Sequence, residues 1–328
     1  MIARGHEVLP RKSHDLLSEF ANDIRYYLAL TPRQLPSRYL YDALGSALFE
    51  AICELPWYGI TRAEGRLLAD HRGEVFARLS GLTRIVELGP GSGHKLGALL
   101  GGAPRDATSL TVHLIDMSAK ALTTATRTLS DIDNLTVMTH QTSFEAGLDV
   151  VGRLSHDAGR TLVLFLGSNI GNFDPPVCAA FLSGIRASLV QHDALLMGAD
   201  LVKPERDLLL AYDDPLGVSA AFNRNLLVRL NRELGANFDL GAFDHRAVWN
   251  APLSRMEMYL VAREAQRVRI EAADLDIDLR AGESIWTESS YKYRTNEIVS
   301  LVERAGFRIL TRWIDEKDQF ALMLFEAV

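Results

Sequence analysis

Between residues 83 and 200 the sequence alternates short, almost wholly apolar runs with longer amphipathic ones. No other feature of the chain constrains its fold as much. The apolar runs are TRIVEL (83–88), LTVHLID (110–116), NLTVMTHQ (134–141), TLVLFLG (161–167) and ALLMGAD (194–200). Between them lie stretches such as MSAKALTTATRTL and PPVCAAFLSGIRASL, with apolar residues at helical spacing. Strands apolar on both faces, separated by helices, predict a parallel sheet covered on each side. The C-terminus extends the pattern. NEIVSLVERAGF reads as a helix with Gly306 near its end, and RILTRWID, the turn EKDQ and FALMLFEA read as an antiparallel hairpin closing the sheet.

The flanking segments differ. SHDLLSEFANDI places Leu16, Leu17, Phe20 and Ile24 at helical spacing behind Ser13 as a cap. GSALFEAICELP repeats the pattern with Leu48, Phe49, Ile52 and Leu55, and Pro56 ends it. After Asp200 come two helical stretches, ERDLLLAYDD and VSAAFNRNLLVRLNREL, then the period-two segments RMEMYLVAR, QRVRIEA and LDIDL, an α+β insertion. The expected division is therefore an α/β core over 61–200 and 292–328 and a second α+β domain over 14–60 and 201–291.

The first strand runs into IVELGPGSGHK, with Gly89, Gly91 and Gly93 at alternate positions and Glu87 two residues ahead. Glycine takes positive φ and lets a ligand approach the backbone, and a following helix N-terminus presents unpaired N–H groups. A dinucleotide loop has the spacing G-x-G-x-x-G. Here the third glycine comes one position early, and E-x-G-x-G-x-G resembles the first motif of S-adenosylmethionine-dependent methyltransferases. That cofactor has no phosphate and carries a sulfonium cation, so its loop needs close approach and carbonyl or carboxylate partners more than an anion nest. Asp116, at the end of the second strand, is placed to accept both ribose hydroxyls. Lys95 falls in the first turn of the loop helix, where the macrodipole does not favour a cation, and a role on the cofactor carboxylate accounts for it. A tight turn, a helix cap and a solvated lysine are the corresponding structural readings.

Further tyrosines and amides follow. RYLYDALGSALF holds Tyr39 and Tyr41, LPWYGITRAE holds Tyr58, FLGSNIGNF holds Asn169 and Asn172, AYDDP holds Tyr212, and WTESSYKYR holds Glu288 and Ser290. Taken singly, each reads as a core aromatic, a turn or a capped loop. As an ordered set, with VELGPGSGHK, ADLVK, FNRNLL and RMEMYL, they resemble the histidine-specific Nα-methyltransferases of ergothioneine biosynthesis. The resemblance runs from about Leu30 to the C-terminus. It implies a Rossmann-like methyltransferase core with a second α+β substrate-binding domain, S-adenosylmethionine as cofactor, and conversion of L-histidine to its trimethylbetaine, hercynine.

The resemblance also implies roles. Tyr41, Gly89, Gly91, Lys95, Asp116, Ser143 and Phe144 would hold the cofactor. Tyr58 and Tyr212 would hold the histidine carboxylate, and Asn172 would orient the α-amine, with Asn172 and Tyr41 the catalytic pair. Glu288 and Ser290 would bond the imidazole, and Met258 would line its pocket. The residue types agree with these roles. An imidazole has two ring nitrogens, and Glu288 accepts from one while Ser290 serves the other. The sequence departs from the family pattern at Ser143, where an acid is usual, at Asn169, where threonine is common, and at Trp57, Gly59, Pro90 and Gly93.

Composition excludes several classes. A net charge of −7 gives no basic footprint for nucleic acid. Neither cysteine, Cys53 or Cys178, lies in a C-x-x-C motif, and the nine histidines form no H-E-x-x-H or similar spacing, so no metal is expected. The opening MIARGHEVLPRKSHDLL lacks the apolar core of a signal peptide, and no run of about 18 apolar residues follows. The expectation is a cytoplasmic monomer that binds small molecules and neither nucleic acid nor membrane. Other readings are the same fold acting on another amino acid or amine, a non-catalytic homologue that keeps the cofactor loop, and a nicotinamide oxidoreductase, which the glycine spacing disfavours.

Overall fold

A computed structural model describes residues 13–103, 110–154 and 159–328. The chain divides into two compact units. Of the described residues, one comprises Ile60–Val202 with Lys292–Val328, and the other comprises 13–59 with Lys203–Tyr291.

The first unit is built on a seven-stranded sheet. Across the sheet the order is Phe307–Asp315, Phe320–Ala327, Ala194–Asp200, Arg160–Phe165, Leu82–Leu88, Leu110–Asp116 and Leu135–Gln141. The last five of these run parallel to one another. Phe320–Ala327 is antiparallel to both of its neighbours and forms the C-terminal hairpin. The central strands are buried throughout because helices cover both faces. Ala194–Asp200 and Phe320–Ala327 have no exposed residue, whereas Leu135–Gln141 at the edge alternates with solvent despite its apolar sequence. Helices Phe144–Gly152, Pro175–Ala187 and Thr295–Arg304 close one face over a core that includes Val86, Val163, Phe165, Phe181, Leu195 and Ile298. Helices Ile60–Arg78, His94–Leu100 and Ala119–Leu129 pack together elsewhere on the sheet. This is a Rossmann-like α/β fold. Successive strands step one way from Leu82–Leu88 and then restart on its other side with Arg160–Phe165. The carboxyl ends of these two strands therefore flank the topological switch point, where open α/β sheets bind ligands.

The second unit pairs helices with a four-stranded sheet ordered Arg33–Gln34, Ser284–Tyr291, Arg255–Ala262 and Phe243–Asn250. A separate hairpin joins Gln266–Ile270 to Leu275–Leu279. Helix Val218–Leu234 packs on helix Ala43–Glu54 and on the sheet. Helix Ser13–Leu28 buries Phe20 and Ile24 but leaves Leu17 at 41% exposure, so the apolar stripe is narrower than its spacing predicts. The Ser13 and Leu16 side chains lie outside the described residues.

Strand Ser284–Tyr291 holds a correction. TES (287–289), open to reading as a capped loop, lies within this strand, which has a register shift between Trp286 and Glu288. Thr287 is the extra residue, and its hydroxyl donates to the Met258 carbonyl at 3.0 Å. A bulge of this kind re-aims the side chains that follow it.

Gly45 shows how closely the Tyr41 segment is packed. A Cβ there would lie 1.6 Å from the Leu40 carbonyl oxygen and 2.9 Å from Asn225 Nδ2. The same Asn225 amide donates to Asp42, whose carboxylate caps the helix through the Gly45 N–H. Gly45→Ala is expected to destabilise the protein by about 1–3 kcal/mol, an overpacking cost read as a lowered denaturation midpoint. An unchanged midpoint would show that the Leu40 carbonyl yields freely.

Candidate active site

The glycine loop is formed as its spacing requires. Gly89, Gly91 and Gly93 have φ of 75°, 54° and 79°, all in the left-handed region that glycine enters without strain. Their neighbours differ. A Cβ at Gly93 would lie 2.9 Å from Ala125 Cα, so this glycine permits packing against helix Ala119–Leu129. A Cβ at Gly89 would lie 3.3 Å from the Phe144 ring and 3.5 Å from Asn169 Nδ2. The loop, Phe144 and Asn169 therefore share one surface at the switch point.

Asp116 ends its strand as expected. One oxygen accepts the Ser118 N–H at 2.8 Å, and burial holds the carboxyl above its ordinary range. Ser143 Oγ caps helix Phe144–Gly152 by accepting the Ala146 N–H at 3.3 Å, a local duty its sequence position does not announce. Lys95 Nζ lies 2.6 Å from Glu64 Oε2, and Glu64 has no solvent exposure. Asn172 closes the short helical turn Asn169–Asn172 that follows strand Arg160–Phe165.

Sequence reasoning assigned no role to Glu87 beyond its place in the motif. The residue is 2% exposed, and its Oε2 has no hydrogen-bond partner among the described residues. Burial pushes its carboxyl up to about 8; Lys95 opposes the rise, and Glu64 and Asp116 add to it. A buried carboxyl with one oxygen unsatisfied, beside the glycine loop, would gain from a donor or cation there. The E-x-G spacing was the only signal that could have found it.

The second unit gathers the remaining candidates. Tyr212 Oη donates to Ser290 Oγ at 2.8 Å. Glu288 is 8% exposed and Ser290 5% exposed, on the strand just past the bulge, with Met258 opposite Glu288 in register. Burial pushes the Tyr41 hydroxyl well above its usual range, and Glu288, Tyr212 and Cys53 add to the rise. Tyr41 is thus a neutral hydroxyl near those three groups. Its ring meets Phe49 and Phe222, each at 5.5 Å, and Phe49 meets Tyr58 at 6.1 Å. Tyr41, Tyr58, Tyr212, Met258, Glu288 and Ser290 therefore form one cluster, polar at one side and aromatic at the other.

Asn223 and His245, which sequence reasoning passed over, brace this cluster. His245 Nε2 lies 2.8 Å from the Tyr212 carbonyl and must donate to it, so Nδ1 accepts from Asn223 Nδ2 at 2.9 Å. Burial lowers the His245 pKa and keeps the ring in this neutral form. The motif FNRNLL held the signal for Asn223, but His245 stands in no recognisable pattern.

The profile of the family described as "Histidine-specific methyltransferase, SAM-dependent" matches residues 20–327. A histidine N-alpha-methyltransferase of Mycolicibacterium smegmatis is 43% identical over 304 residues, covering 92% of this chain and 93% of that protein. One of Mycobacterium tuberculosis is 40% identical over 303 residues, with the same coverage. Ergothioneine biosynthesis protein 1 of Schizosaccharomyces pombe is 27% identical over 288 residues, covering 85% of this chain and 37% of that longer protein. With a glycine loop at the switch point of a Rossmann-like sheet and a profile match over nearly its whole length, the chain belongs to the histidine-specific, S-adenosylmethionine-dependent methyltransferases.

Proposed function

We propose that this protein transfers three methyl groups to the α-nitrogen of L-histidine, giving hercynine for ergothioneine synthesis. The observation that supports the substrate most directly is the pair of buried polar side chains, Glu288 and Ser290, on the bulged strand. An imidazole offers one N–H and one acceptor nitrogen, which match a carboxylate and a hydroxyl. An indole or phenyl ring would leave at least one of them unpaired, and such sites reject analogues by about 10⁴-fold in favourable cases. Tyr212 and Ser290, given to opposite ends of histidine, bond to each other at 2.8 Å. Binding the substrate exchanges that bond for one from each hydroxyl, leaving no group unpaired.

The cofactor fits the other unit. Three glycines at positive φ, Glu87 with its Oε2 unsatisfied and Asp116 at its strand end suit a phosphate-free adenosyl cation better than a pyrophosphate. Gly89, Gly91 and Phe144 would line its site with Ser143 at the adenine, Asp116 would take the ribose, and Lys95 the carboxylate. The bound cofactor supplies a methyl on a sulfonium, displaced in line by a nitrogen nucleophile. The protein's part is alignment and exclusion of water. Tyr58 and Tyr212 fix the substrate carboxylate, and Asn172 turns the α-amine, which must be neutral to attack. Tyr41 contributes as a neutral donor rather than a phenolate base, because its surroundings hold the proton on. The α-ammonium proton leaves through water or another acceptor.

We further read the protein as a cytoplasmic monomer. Cys53 and Cys178 are thiols rather than halves of a disulfide, and no described helix is long and apolar enough to cross a membrane. Exposed large apolar residues such as Leu17, Met117, Val190 and Leu216 are scattered along the chain. The test is incubation of purified protein with methyl donor and each of the twenty amino acids, followed by product mass. A gain of three methyl groups on histidine alone is expected. Methylation of an aromatic amino acid instead, or of none, would overturn the assignment.

A further inference from the structure

Glu64 lies in helix Ile60–Arg78, at the end of LPWYGITRAE, and is completely buried. Both carboxylate oxygens accept the Gly167 N–H, at 2.8 and 2.9 Å, and Oε2 also holds Lys95 Nζ at 2.6 Å. Two glycines make room for this arrangement. A Cβ at Gly198, in strand Ala194–Asp200, would lie 2.0 Å from Glu64 Oε1. A Cβ at Gly167 would lie 3.1 Å from Lys95 Nζ, and Gly167 has a φ of +77°.

Both partners of Glu64 sit at the switch point. Lys95 lies in the first turn of the helix behind the glycine loop. Gly167 opens the turn that leads through Ser168 to Asn169–Asn172. That turn is fixed again at Ser168, whose hydroxyl accepts the Asp200 N–H at 2.9 Å. A buried carboxylate is costly unless paired and hydrogen-bonded. Here one carboxylate satisfies a cation and a backbone donor from two different loops, and so fixes the position of each relative to the other.

We propose that Glu64 is a positioning residue. It sets Lys95 for the cofactor carboxylate and holds the Gly167–Asn172 turn so that Asn172 meets the substrate amine. This rests on the cofactor and amine roles proposed above for those two residues. The two functions separate by substitution. Glu64→Gln keeps an oxygen for the Gly167 N–H but puts an amide without charge beside Lys95. Glu64→Ala removes both partners.

The experiment measures S-adenosylhomocysteine binding by calorimetry, together with kcat and the KM for each substrate, on folded protein. Glu64→Gln is expected to weaken binding about tenfold and to raise the KM for the methyl donor, with kcat changed less than about threefold, as loss of one charge-assisted contact implies. Glu64→Ala is expected to lower kcat at least about tenfold further. Lys95→Met should weaken binding similarly, and Glu64→Gln combined with Lys95→Met should be no weaker than either alone, since they remove one interaction. Fully additive effects on binding, or variants with a lowered melting temperature but wild-type affinity and kcat, would overturn the inference and leave Glu64 an anchor of the fold only. Failure of the wild-type protein to bind S-adenosylhomocysteine would instead sink the placement of the cofactor at the glycine loop.

Discussion

Glu288→Gln is expected to lower kcat/KM for histidine by about 100-fold while leaving S-adenosylhomocysteine affinity unchanged. The carboxylate is 8% exposed on the strand after the bulge at Thr287, so little water is available to compensate for a poorer partner. A hydrogen bond to a charged group in such a setting contributes about 1.5–3 kcal/mol, or roughly 10- to 150-fold. The glutamine keeps the volume and an acceptor oxygen, so packing against Met258 and the neighbouring Tyr41 hydroxyl is preserved. It loses the charge, and its amide nitrogen can face the ring. Steady-state kinetics with histidine varied, and calorimetry on the same preparation, separate the two effects. A variant that keeps its kcat/KM would show that Glu288 does not meet the imidazole. One that loses cofactor affinity equally would point to general damage.

How far the sequence reveals this site depends on what each element faces. The core strands are legible because burial on both faces makes them apolar throughout, and the glycine loop is legible because its φ angles demand glycine. Strand Phe243–Asn250, by contrast, sits at a sheet edge with mixed burial, and FDHRAVWN gives no period to find. The strand bearing Glu288 looks like a loop for two reasons that both follow from its work. Its inward side chains are polar because they line a polar cluster, and the bulge breaks the two-residue alternation. The family resemblance supplied these residues where periodicity could not. Glu64, although it ends the quoted LPWYGITRAE, and His245 had no role that sequence could assign. Each is recognisable only by what it touches: Lys95 and Gly167 in one case, the Tyr212 carbonyl and Asn223 in the other.

Replacing Glu87 with glutamine is expected to change two pH profiles in opposite senses. In the folded protein burial raises this carboxyl from its ordinary 4.5 to about 8. Between those values the folded chain keeps a proton that the unfolded chain has lost. Stability therefore falls as pH rises through that window, by up to about 5 kcal/mol at roughly 1.4 kcal/mol per unit, and is level on either side. Glu87→Gln removes this slope, so the variant should be more stable than the parent near pH 8 and similar to it near pH 4.5, as judged by chemical denaturation at each pH. Cofactor binding should respond the other way. A cation beside Glu87 favours its ionised form, so binding below about pH 8 should release up to one proton, and affinity should rise with pH. The glutamine variant should release none, lose the slope and bind about 10- to 100-fold more weakly at about pH 8. Calorimetry in two buffers of different ionisation enthalpy counts the protons. Stability gained without any loss of affinity would mean that Glu87 strains the fold for a purpose other than the cofactor. Proton release that survives the substitution would move the titrating group to Asp116, the other carboxyl near the loop held above its ordinary range.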